Sequence, residues 1–180
     1  DFVFDKITAC DLKNKKITLE SGNELSAKFI IIATGASPRK LGVENENRFL
    51  GKGVSYCATC DGAFFKGKTV AVIGGGNTAV EDALYLEKLA SKVYLVHRRD
   101  ALRADKILCD RHAKSTVKVI WDSVVQNLDG NDNLSQMTLK NVKNDTLTTV
   151  LVDGVFVAVG QIPESNLFDE VQKTSNGYII

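Results

Sequence analysis

Cys57 and Cys60 stand three residues apart, close enough for their thiols to close a small disulfide ring and reopen it. C-x-x-C placement commonly lowers one thiol's pKa, so that a thiolate is available near neutral pH. Asp61 follows directly. Beside a dithiol its carboxyl can relay a proton to a leaving thiolate, although an Asp before a Gly is also an ordinary turn residue. A structural zinc site would need two further ligands, and His97 and His112 are remote in sequence and lack zinc-finger spacing. A buried pair of inert thiols is the remaining alternative. The redox reading is preferred, and no metal is expected. Cys10 and Cys109 stand alone, so four cysteines do not make a disulfide framework.

A second group can bind rather than react. Gly74-Gly75-Gly76-Asn77-Thr78-Ala79 fits G-x-G-x-x-A. The first glycine permits a tight strand-to-helix turn, the second lets backbone approach a pyrophosphate, and small Ala79 lets helix and strand pack closely. The helix N-terminus then offers free N–H groups and the positive end of its dipole to phosphates. At the end of the next strand an NAD site places an Asp or Glu for the ribose hydroxyl. Here His97-Arg98-Arg99 stands instead, with Arg103 close behind. Guanidinium forks suit the doubly charged 2′-phosphate of NADP, so NADPH is the expected nucleotide. Asp100 is the counter-evidence, and a solvated basic face is the plain alternative.

These residues must be held by regular elements. Thr69–Ile73 reads as a buried strand running into the glycine turn, and Ala79, Val80, Ala83 and Leu84 follow at helical spacing. Lys92–Val96 is the next strand, so residues 69–96 form one βαβ unit with parallel pairing. Upstream, Lys16–Glu20 and the turn Ser21-Gly22-Asn23 predict a hairpin, and Phe29–Ala33 predicts a buried strand. Residues 39–56 read as a connecting stretch. Beyond Val117 the pattern turns to short alternating strands around the turn Asp129–Asn133, ending in Val155–Val159 before Gly160. The closing Gly177-Tyr178-Ile179-Ile180 reads as a strand cut in mid-course, so a piece of a longer chain is expected.

Composition is that of a globular domain. Twenty-three basic residues face 22 acidic ones, which gives no reason to expect nucleic acid or an anionic membrane as partner. No apolar run approaches the roughly 20 residues of a membrane helix. The start at Asp1 does not read as a signal peptide, and a single close cysteine pair suits a cytoplasmic protein.

Cys57-Ala-Thr-Cys60-Asp61, Val72-Ile-Gly-Gly-Gly-Asn-Thr-Ala79 and His97-Arg-Arg-Asp-Ala-Leu-Arg103-Ala104 together closely resemble the low-molecular-weight, bacterial-type thioredoxin reductases. Ile32-Ala-Thr-Gly-Ala36 and Phe156-Val-Ala-Val-Gly160 extend the resemblance over essentially the whole chain. It implies an α/β fold, the Rossmann-like three-layer FAD/NAD(P)-binding fold of the pyridine nucleotide-disulfide oxidoreductases. A nucleotide domain, residues 37–160, is inserted into a discontinuous FAD domain represented by residues 1–36 and 161–180. It also implies an NADPH-dependent flavoenzyme, usually a homodimer, whose partner is thioredoxin. Hydride from NADPH reaches FAD, reduced flavin reduces the Cys57–Cys60 disulfide, and that dithiol reduces thioredoxin. On this pattern Cys60 faces the flavin, Cys57 attacks thioredoxin and Asp61 relays the proton. Arg98, Arg99 and Arg103 hold the 2′-phosphate. Gly74, Gly76, Asn77, Thr78, Ala79, His97 and Gly160 complete the NADPH site, and Ala33, Thr34 and Gly35 touch FAD. Dithiol and nicotinamide then take turns at the flavin by domain rotation. The N-terminal G-x-G-x-x-G and late Gly-Asp elements for FAD are missing, so the chain alone is expected not to turn over. Two rivals are a module that holds NADPH without turnover and the flavoprotein subunit of a peroxide-reducing system.

Overall fold

The computed structural model describes residues 1–180, which divide into two compact units, 1–37 with 161–180 and 38–160. In the first, β1 (Ile7–Asp11), β2 (Lys16–Leu19) and β3 (Glu24–Ser26) form an antiparallel meander. The expected hairpin is its second half: Gly22 takes φ +87° in the turn, and Lys16 pairs with Ser26. The expected buried strand at Phe29–Ala33 does not form. Those residues lie outside any strand, with Phe29 83% and Ile31 91% exposed. No strand of the chain lies alongside to complete a hydrogen-bond ladder, and extended backbone without a ladder is not a sheet. β4 (Ala36–Pro38) follows.

The second unit holds the main core. β5 (Val54–Ser55) leads into the short helix α1 (Ala58–Asp61) and a 3-10 turn at Gly62–Phe65. β6 (Thr69–Gly74), α2 (Asn77–Leu86) and β7 (Lys92–Val96) are the expected βαβ unit, with β6 and β7 parallel. α3 (Lys106–His112) and β8 (Lys118–Ile120) come next. β9 (Ser123–Gly130), β10 (Leu134–Asn141) and β11 (Leu147–Leu151) then make an antiparallel sheet, and β12 (Gly154–Ala158) returns to the parallel one. The parallel sheet runs β5-β12-β6-β7-β8. One face packs on the antiparallel sheet through Met137, Leu139 and Leu128; the other packs on α2 and α3 through Ala83, Leu86 and Leu108. Both faces covered explains why β6 and β12 read as unbroken apolar runs. The stretch 39–56, expected as a connection, hides the two-residue edge strand β5, too short to show a period. In the first unit β13 (Gln161–Pro163) pairs with β4, and the expected terminal strand is a single bridge between Lys173 and Ile179. No helix is long and apolar enough to cross a membrane.

Two outcomes follow from this packing. A Cβ on Gly74 would overlap the Ala158 carbonyl and lie 2.7 Å from the Ala79 methyl carbon. Gly74→Ala should therefore lower the urea midpoint, at a cost of about 1–3 kcal/mol. Burial on α2 pushes the Asp82 carboxyl up to about 6, with Glu81 adding to the shift. A raised folded-state pKa means that stability is intact below about pH 4 and is lost as pH rises through 6. Asp82→Asn should gain about 1 kcal/mol in urea unfolding at pH 7, discounted because the group is half solvated, and nothing below pH 4.

Candidate functional site

All five strands of the parallel sheet point the same way, so the loops after their C-terminal ends gather along one edge. The sequence puts its chemistry there: the dithiol after β5, Gly160 after β12, the glycine turn after β6 and His97-Arg98-Arg99 after β7. Crevices at this edge are where open α/β sheets bind ligands.

The glycine turn is built by contact. Gly74, at φ +156°, has no room for a side chain, and Ala79 lies directly against it. A Cβ on Gly75 would run into the His97 ring, whereas Gly76 faces open space. The turn therefore packs on its own protein at two glycines and leaves the third facing outward. Gly76 is also the N-cap residue of α2 and offers no side-chain cap, which leaves first-turn N–H groups free. Backbone hydrogen bonds fix the neighbouring loops: Arg103 N–H donates to the Gly75 carbonyl (2.7 Å), Arg39 N–H to Gly160 (2.9 Å) and His97 N–H to Ile120 (2.9 Å).

Around this turn opens a cleft of about 520 Å³. Gly74, Gly76, Asn77, Thr78, Ala79, His97, Arg98, Arg103 and Gly160 all line it; Arg99 does not. The Asn77 side chain is taken, exchanging hydrogen bonds with Asp105 at the start of α3 (2.7 and 2.8 Å). His97 is buried and its Nε2 has no partner. Burial holds its pKa below the usual imidazole range, and the charges of Arg103, Arg99 and Arg98 push the same way against a hydrogen bond with Ala101. A neutral imidazole thus borders the cleft, with its unpartnered Nε2 buried in the wall. None of the chain's ion pairs engages an arginine. The carboxylate of Asp100 instead meets Lys143, which also reaches Asp122 (3.5 and 2.9 Å). Arg39 and Lys40 close the cleft on the β12 side, and nothing in the sequence pattern marked them.

The dithiol lies outside this cleft. Cys57 and Cys60 are joined as a disulfide; Cys10 and Cys109 are free. Cys57 is the N-cap of α1, and the Cys60 N–H donates to its sulfur at 3.2 Å. Cys60 is exposed, Cys57 and Asp61 partly so. The carboxylate of Asp61 accepts a 2.6 Å hydrogen bond from the Ser55 hydroxyl. Gly62 lets this turn press on α2, where a Cβ would lie 3.0 Å from Leu86 and 3.1 Å from Tyr85. Elsewhere, in the first unit, the Thr34 hydroxyl donates to the Glu164 carbonyl and the Gly35 carbonyl accepts from the Glu164 N–H; Ala33 to Gly35 are exposed.

The model of the pyridine nucleotide-disulphide oxidoreductases matches residues 1–180. The chain belongs to that family. It is 44% identical over 185 residues to thioredoxin reductase of Coxiella burnetii, spanning 99% of this chain and 58% of that protein. A crystal structure of Lactococcus lactis thioredoxin reductase superposes with TM-score 0.87 at 40% identity, covering 98% of this chain and 60% of that one. The chain thus spans about three-fifths of the relatives it matches. A Pseudomonas fluorescens protein named glucosaminate ammonia-lyase reaches the same 44%, over all of this chain and 58% of its own length. Identity at this level fixes the family, and the reaction must be argued from the site.

The disulfide has a direct check. Thiol titration under denaturing conditions should find two thiols, Cys10 and Cys109, before reduction and four after. Four before reduction would mean an open dithiol.

Proposed function

We propose that this chain is the NADPH-binding and dithiol-carrying portion of a thioredoxin reductase. The observation that carries the reading is the shared sheet edge. One parallel sheet presents a disulfide, a glycine turn with an open face and a group of unpaired arginines along the ends of neighbouring strands. A nucleotide cleft alone would suit many dehydrogenases; a cleft with a redox disulfide on the same scaffold suits an enzyme that moves reducing equivalents from a pyridine nucleotide to a disulfide.

The residues fit the nucleotide. The N–H groups at the start of α2, beside Gly76, would meet its pyrophosphate. Arg98 and Arg103 would hold the 2′-phosphate, with the neutral His97 ring as part of the cleft wall. Arg99, outside the cleft lining, would act chiefly through its charge. Arg39 and Lys40 would flank the nicotinamide half, because they stand across the glycine turn from the arginines. Bound NADPH and FAD would supply hydride and electron transfer. At the dithiol, Cys57 is the better nucleophile, since the Cys60 N–H donates to its sulfur and favours the thiolate. Asp61 would relay the proton of its partner. In the whole protein, residues 1–36 and 161–180 would be parts of the FAD domain, with Ala33, Thr34 and Gly35 at the flavin, and residues 37–160 the nucleotide domain. A cytoplasmic homodimer acting on thioredoxin completes the reading, supported by the relatives named thioredoxin reductase.

Calorimetry on the purified chain tests it without flavin. NADPH should bind more tightly than NADH. Arg98→Ala or Arg103→Ala should weaken NADPH by about 1.5–3 kcal/mol, roughly tenfold to hundredfold, and leave NADH nearly unchanged. Arg99→Ala should cost less, and Arg39→Ala should weaken both nucleotides alike. Added salt should weaken NADPH more than NADH. Equal affinities for the two nucleotides would sink the assignment and make the arginines a solvated face.

A further inference from the structure

The carboxylate beside the dithiol is held by a residue outside the C-x-x-C-D motif. Ser55 ends β5 and is 4% exposed. Its Oγ lies 2.6 Å from Asp61 Oδ2, 3.0 Å from the Cys57 amide nitrogen and 3.3 Å from the Cys57 carbonyl oxygen. A hydroxyl has one hydrogen to give. The carboxylate is both nearer and charged, so it takes that hydrogen. The Cys57 amide donates into the oxygen's lone pair, and the Cys57 carbonyl keeps its bond from the Asp61 amide at 3.1 Å. Every polar group around the hydroxyl is thereby satisfied in one arrangement only, and the Asp61 carboxylate is tied to the backbone of the first cysteine.

We propose that Ser55 is a positioning residue of the dithiol, holding the Asp61 carboxylate oriented to accept a proton as the disulfide re-forms. The proposal rests on Asp61 being the proton relay. The step is defined by the reaction of the reduced chain with a small disulfide such as hydroxyethyl disulfide. The Cys57 thiolate attacks one sulfur of the reagent, whose S–S bond breaks, leaving a mixed disulfide and one mercaptoethanol thiolate. The Cys60 thiol then passes its proton to Asp61 as its sulfur attacks Cys57 Sγ. The mixed S–S bond breaks, and the second mercaptoethanol leaves, taking a proton from solvent. Two electrons pass from the dithiol to the reagent, and only the ring-closing step uses Asp61. The carboxylate serves only while it is aimed at the dithiol, and the Ser55 hydrogen bond fixes that aim by tying it to the Cys57 backbone.

The test follows ring closure by acid quench and mass spectrometry in the reduced chain and in Ser55→Ala, Ser55→Thr, Asp61→Asn and the double variant Ser55→Ala/Asp61→Asn. Asp61→Asn should accumulate the mixed disulfide. Ser55→Ala should slow closure about tenfold, because the carboxylate is no longer held in one orientation beside the dithiol. Ser55→Thr, which keeps the hydroxyl, should close at the parent rate. The double variant should be no slower than Asp61→Asn alone, because Ser55 acts only through the carboxylate. Parent-rate closure in Ser55→Ala beside slow closure in Asp61→Asn would overturn the role of Ser55 and leave the relay standing. So would a double variant slowed by the product of the single effects. Parent-rate closure in Asp61→Asn would remove the relay itself and the role of Ser55 with it.

Discussion

The close approach at Gly74 is the constraint on which the rest of the 38–160 unit depends. At that point the end of β6, the carbonyl of Ala158 on β12 and the methyl of Ala79 on α2 converge with no space for another carbon. Three elements meet at one backbone atom. The sheet register is set there, since Ala158 pairs with Gly74, and so is the seating of α2 on the sheet. Because α2 starts within a few residues, the direction of its free N–H groups is set too. The openness of Gly76 is a consequence: two glycines are consumed by packing so that the third can be presented to solvent.

The same helix positions the dithiol. Its N-terminus serves the cleft, while Tyr85 and Leu86 near its C-terminus receive Gly62 just beyond Cys60 and Asp61. Phe65, at the end of that turn, packs edge-on against Phe156 of β12 with ring centroids 5.2 Å apart and lies over Gly154, where a Cβ would collide with its ring. Buried Ala58 joins the same apolar cluster as Val80, Ala83 and Leu86. A disulfide in a loose loop would lose its partner geometry on opening. Here the turn carrying it is anchored on both sides, so reduction can proceed with little loss of order, as the proposed redox role requires.

What was legible in the sequence was whatever local pattern alone decides. The βαβ unit at 69–96 shows as two apolar runs around a helical period, and the glycine turn as its own motif; the structure reproduces both. The hairpin at Lys16–Ser26 was legible from its turn residues. Phe29–Ala33 was misread because a strand is a relation between chains of backbone, and its apolar run says nothing about whether a neighbour is present. Ser55, Arg39 and Lys40 were invisible for a different reason. Ser55 lies only two residues before Cys57, but the turn that folds Asp61 back onto its hydroxyl has no motif of its own, and Arg39 joins its site through Gly160, distant in sequence. A motif search reads residue types at fixed spacing, and neither a turn's hydrogen bonds nor a contact across the sheet shows there.

Charge placement around the cleft shows how such distant contacts shape selectivity. Asp100 follows the arginines directly and by sequence alone competes for the role of ribose ligand. In the fold it is drawn toward Lys143, on the turn between β10 and β11, which also engages Asp122. The backbone supports this arrangement: the Asp122 N–H donates to the Arg99 carbonyl at 3.3 Å, and the Val142 N–H to Asp122 at 2.7 Å. These ion pairs share one solvated lysine, and the exposed Asp100 pair contributes little to stability. Their effect is directional, because a carboxylate paired with a lysine from the antiparallel sheet neutralises neither Arg98 nor Arg103 and is poorly placed to accept a ribose hydroxyl. The antiparallel sheet, which carries none of the motifs, thereby keeps the basic end of the cleft positive, and a preference for a 2′-phosphate over a bare hydroxyl is what that electrostatics favours.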